Sequence, residues 1–171
     1  MDFMPPATRW PVSPSIQPVA DEFFRPGEYT AIPLVLLHER VVGELSDSVA
    51  VAIGLTSPVR SVKVGPDEQW HIFEERGVAA VDDVMVCLNR LEEAFRHLTY
   101  LLPAPPTSSE FRLVGAVPSS GRHLVLPVKF VPPGRAKSGK DELWLCTAFP
   151  LGESRLKSHL AQGRVVNLPA A

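Results

Sequence analysis

Cysteine is scarce in this sequence, with two in 171 residues. That excludes a fold built on disulfides. It also excludes a zinc module, because no Cys/His cluster has the spacing that tetrahedral coordination needs. Cys87 and Cys146 lie far apart in apolar patterns. They read as two buried free thiols in a reducing compartment, ahead of a disulfide or metal role. Long apolar runs are missing as well. The longest, 32–37 and 49–55, fall far short of the ~20 residues of a membrane span. Met1-Asp-Phe-Met-Pro-Pro6 has neither a basic start nor an apolar stretch, so no secretory signal is expected. A chain made in the cytoplasm follows, with no membrane partner; delivery by a specialised secretion system stays open. No glycine-rich phosphate loop and no Gly-x-Ser-x-Gly occurs, and neither a cofactor nor a metal is expected.

What is present suits one domain with an extra arm. The hydrophobic fraction of 45% is ordinary for a globular protein, and the chain is long enough to bury a core. The net charge of −2 hides an asymmetry. Residues 1–109 hold 8 Lys and Arg against 15 Asp and Glu, whereas residues 110–171 hold 9 against 4. An acidic front and a basic back fit a polyanion that meets only the back. They fit equally two lobes that attract each other.

Residues 1–28 carry six of the 18 prolines, which prevents regular helix and favours an extended arm or linker. Residues 29–171 form the expected single domain. Ile32–Leu45 reads as a helix opened by Pro33, weakened by Gly43. Val49–Leu55 fits helix or strand. Val59–Val64 alternates as a strand, and Pro66-Asp-Glu68 then opens a helix that runs to about Arg76. Val81–Leu102 has the clearest helical stripe, through Val84, Leu88, Leu91, Phe95, Leu98 and Leu102. Strands follow at Phe111–Val117, Arg122–Val131 and Leu143–Phe149, the first two joined by a Pro118-Ser-Ser-Gly121 turn. Pro127 cannot donate to a ladder, so its strand is expected at an edge or bulged there. A loop at 132–140, a short basic helix at Gly152–Gln162 and a last strand at Arg164–Leu168 complete the chain. The predicted class is α+β, with N-terminal helices packed on an antiparallel sheet of about four strands. Leu124, Leu126, Val128 and Phe130, with Trp144, Cys146 and Ala148, are expected on the core face. His123, Lys129 and Thr147 are expected on the other.

That second face resembles an anion site, and RNA cleavage without a metal needs little more. A base takes the proton of the ribose 2′-hydroxyl, an acid protonates the leaving 5′-oxygen, and cations or N–H donors hold the phosphate. His71, Arg76, His123, Lys129 and Thr147 can supply these groups. Each also has a plain structural reading. His71 can be a half-buried helix histidine, Arg76 a helix-end cation, Lys129 a solvated strand residue, and Thr147 a β-former. Arg135 and Lys140, in the 132–140 loop, either contact phosphate or are solvated.

The order of these parts resembles a known group. Ser61-Val-Lys-Val64 leads into a helix with His71-Ile72 and a charged residue one turn on. A second helix follows, then a meander whose last main strand reads Trp144-Leu-Cys-Thr-Ala-Phe-Pro150. Residues 59–151 are thus similar to the barnase/EndoU/colicin/RelE-like ribonuclease domains, especially those of phage proteins and bacterial toxin tips. The resemblance implies that His71 is the general acid/base, that Arg76 holds phosphate and that Thr147 donates to it. Phe149 stands where many members carry Tyr, in a substrate-binding set with Lys129, His123, Arg135 and Lys140. Glu74, Glu75 and Arg76 stand where a second histidine is common. The implied activity is a toxin- or phage-type ribonuclease cutting RNA, tRNA included, with an immunity or antitoxin protein as a possible partner. The alternative is a non-enzymatic interaction protein of a phage or mobile element. A toxin-neutralising partner is a third reading.

Overall fold

The computed structural model describes residues 38–76, 90–104 and 109–170. The arm at 1–28 therefore lies outside the described residues. The described elements are β1 (Arg40–Glu44), α1 (Asp47–Ala52), β2 (Ser61–Val64), α2 (Pro66–Arg76), α3 (Leu91–Arg96) and β3 (Leu98–Leu102). They continue with β4 (Glu110–Val117), β5 (Arg122–Val131), β6 (Glu142–Leu145), β7 (Phe149–Leu151), α4 (Glu153–Ala161) and β8 (Val166–Asn167).

The protein is α+β, but its sheet is larger than the sequence predicts and not purely antiparallel. Eight strands run in the order β1-β2-β6-β5-β4-β3-β8, with β7 also paired to β5. β2 and β6 are parallel and every other pair is antiparallel. Two predicted helices, Ile32–Leu45 and Val81–Leu102, are strand over part of their described residues, at 40–44 and 98–102. Residues 40–44 pair with β2, and Gly43 lets that strand lie against Phe95, since a Cβ there would stand 2.4 Å from the Phe95 Cβ. The predicted helix at 81–102 survives only as α3 among the described residues. Its last turn is strand β3, paired to β4 and β8. A bulge between Leu98 and Tyr100 breaks the alternation, so Leu98 and Leu101 pack on one face of the sheet and Tyr100 and Leu102 on the other;. Val49–Leu55, open from sequence, begins as α1, where Ser46 Oγ accepts a hydrogen bond from the Val49 N–H at 3.2 Å;.

One face of the sheet packs Val42, Val62, Val64, Leu113, Leu124, Leu126, Val128, Leu143 and Leu145 against Val49 of α1, Trp70 and Ile72 of α2, and Leu91 and Phe95 of α3. Each fully buried Leu or Ile contributes about 1.5–3 kcal/mol over leaving it exposed. α3 touches both β1 and β4, although three strands separate them. The sheet therefore curls around this short helix. Gly115 allows the closest approach, because a Cβ there would lie 2.2 Å from the Ala94 carbonyl oxygen. The opposite face holds a smaller cluster, Leu102, Val114, Val125 and Leu151, covered by Leu156 of α4.

Glu93 in the first turn of α3 ties that helix to the β4–β5 turn. Its carboxylate accepts from the Ser119 hydroxyl at 2.6 Å and from the Ser119 backbone N–H at 2.9 Å. The hydroxyl bond and then the N–H bond hold the Glu93 carboxyl below its ordinary value;. A depressed carboxyl stabilises the fold above its unfolded-state range and loses that contribution as pH falls through the folded value. Ser119→Ala is thus expected to lower the melting temperature at neutral pH and to change it less in acid. Thermal melts across pH check this, and an equal drop at both ends would contradict it.

The predicted strand Leu143–Phe149 is broken. Val128 lies opposite Leu145 and Val125 opposite Phe149, so β6 and β7 together carry one residue more than β5 across the break. The cause is Pro127. Its carbonyl accepts from the Cys146 N–H at 2.9 Å. Its nitrogen faces the same edge of the strand and has no hydrogen to return. The ladder stops there and a bulge forms at Cys146-Thr147-Ala148. The bulge expected at Pro127 is present, in a strand paired on both edges. The extra residue reverses the alternation. Leu143, Leu145 and Ala148 all join the core cluster, and Trp144, expected there, sits on the opposite face.

Candidate functional site

That face carries a row of side chains across four strands. Lys63 of β2 lies opposite Trp144 of β6, Trp144 opposite Lys129 of β5, and Lys129 opposite Glu110 of β4. Neighbouring strands are ~4.8 Å apart, so the indole stands between two lysines. The Lys63 ammonium lies 5.8 Å from the Trp144 ring centroid, at the outer range of a cation–π contact. It also pairs with Glu142 at 3.3 Å and Glu39 at 3.8 Å. Glu142 is buried, and this lysine satisfies it;.

The row forms the floor of a cleft of about 730 Å³. One wall is the start of α2, with Gly65, Asp67 and Glu68; the other is the end of β5 and its loop, with Lys129, Arg135 and Lys137. The α2 wall is fixed by Gln69, whose fully buried side chain accepts from Arg40 Nε at 3.0 Å and donates to the His38 carbonyl at 2.8 Å. A Cβ on Gly65 would meet Glu68 Oε2 at 2.6 Å and the Trp144 ring at 3.6 Å. The glycine thus lets the carboxylate and the indole share this corner. The 132–140 loop is a run of hydrogen-bonded turns. Arg135 N–H and Ala136 N–H both donate to the Pro132 carbonyl, and Gly139 takes a φ of 72°;. Ser57 donates to the Asp141 carboxylate and ties the approach to β2 to the approach to β6.

Electrostatically the walls differ. Lys63 is matched by two carboxylates. No ion pair forms to Lys129, Arg135 or Lys137 among the described residues. The Cys146 thiol lies beside the row. Burial pushes its pKa up, the Glu110 carboxylate adds to the rise, and Lys129 opposes it;. Cys146 is a free thiol but half-buried rather than buried; Cys87 lies outside the described residues.

Of the residues singled out from sequence, Lys129 and Arg135 line the cleft. His71 is exposed on α2, three and four residues after Glu68 and Asp67, so it continues their side of the helix one turn beyond the cleft wall;. Arg76 ends α2, and its side chain lies outside the described residues. Thr147 sits in the bulge. Lys140 is exposed at the far end of the loop and does not line the cleft. His123 is on the expected face but six residues from Lys129 along β5, ~20 Å in an extended strand. Its ring faces Tyr100 at 6.4 Å instead, so the two cannot hold one phosphate. Phe149 packs on the smaller core cluster.

Lys63, Trp144 and Glu68 were not legible as site residues. The polar parity of Glu142 with Trp144 pointed away from the core, but pairing across β2 and β6 was needed to place the row. Among the described residues no three His, Cys, Asp or Glu side chains form a group able to hold a metal, and no helix is long and apolar enough to cross a membrane. No family model, no curated protein and no solved structure matches the chain.

Proposed function

We propose that the protein is an endoribonuclease that works without a metal, by transesterification from the ribose 2′-hydroxyl. The observation that carries this reading is the cleft itself. A cationic wall, an indole floor and an acidic helix wall, with His71 one turn further along that helix, support it. Lys129 and Arg135 hold the phosphate and stabilise its developing charge. A carboxylate of α2, Asp67 or Glu68, removes the 2′-proton, the 2′-oxygen attacks phosphorus, and the bond to the 5′-oxygen breaks as that oxygen takes a proton from the His71 imidazolium. The products are a 2′,3′-cyclic phosphate and a free 5′-hydroxyl.

The test is incubation of the full chain with single-stranded RNA in excess EDTA, with end groups read by mass spectrometry. Cleavage to cyclic phosphates is expected, and none at a 2′-deoxy linkage. RNA left intact at high protein concentration overturns the reading. One observation favours the alternative of a protein-binding module. Among the described residues strand β1 is a sheet edge, and its Val41 is 51% exposed, which suits strand addition by a partner.

A further inference from the structure

We infer that Trp144 is a stacking platform for an unpaired base, so that the cleft takes single-stranded RNA and rejects the duplex. The inference rests on the ribonuclease reading for its choice of RNA, and on the cleft alone for its geometry. An indole is among the largest apolar surfaces a protein can bury, and a sheet face normally covers it. Here the register turns Trp144 away from a core that takes both its neighbours, Leu143 and Leu145, completely. It remains partly open on the floor of a polar cleft. Its flanks in the row are lysines, one of which, Lys63, lies over the ring at 5.8 Å from its centroid.

The charges around it are sorted. Lys63 is engaged by Glu39 and Glu142 on the β2 side. Lys129, Arg135 and Lys137 stand on the opposite wall, with Glu110 across the ladder from Lys129. A strand of nucleic acid has the same division, with a flat apolar base on one side of the sugar and an anionic phosphate on the other. Stacked on Trp144, a base places its phosphate at the cationic wall. Aromatic stacking beside a basic groove is how single strands are held without reading sequence. In a duplex the base faces are already covered by their neighbours, and only the phosphates could engage.

The probe is a labelled oligouridylate fully 2′-O-methylated, which cannot be cleaved, followed by fluorescence anisotropy alone and annealed to its complement. The single strand is expected to bind at least tenfold more tightly than the duplex. Trp144→Leu should weaken the single strand about tenfold or more, while Trp144→Phe keeps most of the affinity. Lys129→Ala should weaken it too and lower the salt slope by about one. Circular dichroism confirms that each variant is folded, and Trp144→Phe and Lys129→Ala carry the test if Trp144→Leu is not. Equal affinity for strand and duplex overturns the inference. So does a folded Trp144→Leu with unchanged affinity, or polyglutamate of equal charge displacing the strand as well as RNA does. Binding is read apart from cleavage. A protein that binds through Trp144 and cuts nothing keeps the platform and loses the ribonuclease reading. One that cuts RNA with a KM indifferent to Trp144 loses the platform alone.

Discussion

Gly115→Val is expected to abolish cooperative unfolding, or to lower stability by about 3 kcal/mol or more. Overpacking a well-filled core costs about 1–3 kcal/mol when side chains can adjust. At position 115 the obstacle is backbone. A Cβ would stand 2.2 Å from the Ala94 carbonyl oxygen and 2.9 Å from the Ala94 Cβ. α3 cannot retreat cheaply, because its next residue, Phe95, is pressed against Gly43 of β1. Moving the helix off β4 opens its packing on β1 as well. Domains of this kind keep only about 5–15 kcal/mol of net stability, so one such collision removes a large share. Gly134, with open space around the position of its Cβ, is the control: Gly134→Ala should change the unfolding free energy from urea melts by no more than about 0.5 kcal/mol. An unchanged midpoint for Gly115→Val would mean that α3 does not seat on the sheet as described.

His71→Ala is expected to lower RNA cleavage by about 10²–10⁴-fold, the range for removing a general acid or base, with the melting temperature nearly unchanged. The two halves of that expectation come from one helix. Gln69, Trp70 and Ile72 are buried and anchor α2, whereas His71 between them is exposed. Truncating an exposed side chain removes little packing. Ile72→Ala makes the contrast, since it opens a cavity in the core and should cost about 2–5 kcal/mol. Single-turnover rates on a defined oligonucleotide, beside thermal melts, separate the two. Wild-type rates in folded His71→Ala would remove the imidazole from the mechanism.

Local patterns carried the second half of the chain well. Arg122–Val131 is a strand over its full predicted span, and the turn before it and the helix after Gly152 fall where turn and cap residues put them. Gly163 closes that helix at a φ of 66°, as a glycine should. The failures share one cause. β1, β3 and the broken strand at 142–151 owe their form to partners distant in sequence. Val41 and Val42 extend because β2 is beside them. Leu98–Leu102 extends because β4 and β8 flank it, although its leucines continue a helical stripe. Pro127 breaks β6 from β7 at a distance of about twenty positions. The site divides in the same way. Lys129 and Arg135 were visible as cations near a strand end. Trp144 and Lys63 became site residues only once register set them side by side.

The parallel pair β2–β6 also sets an order of assembly. It joins residues 61–64 to residues 142–145, and closing so long a loop is entropically late. A chain emerging from the ribosome has Lys63, and later Lys129, well before Trp144 is available to stand between them. Any fragment that ends before Glu142 lacks the strand that unites both halves of the cleft floor. The cleft floor is therefore complete only once β6 has been made and has reached β2.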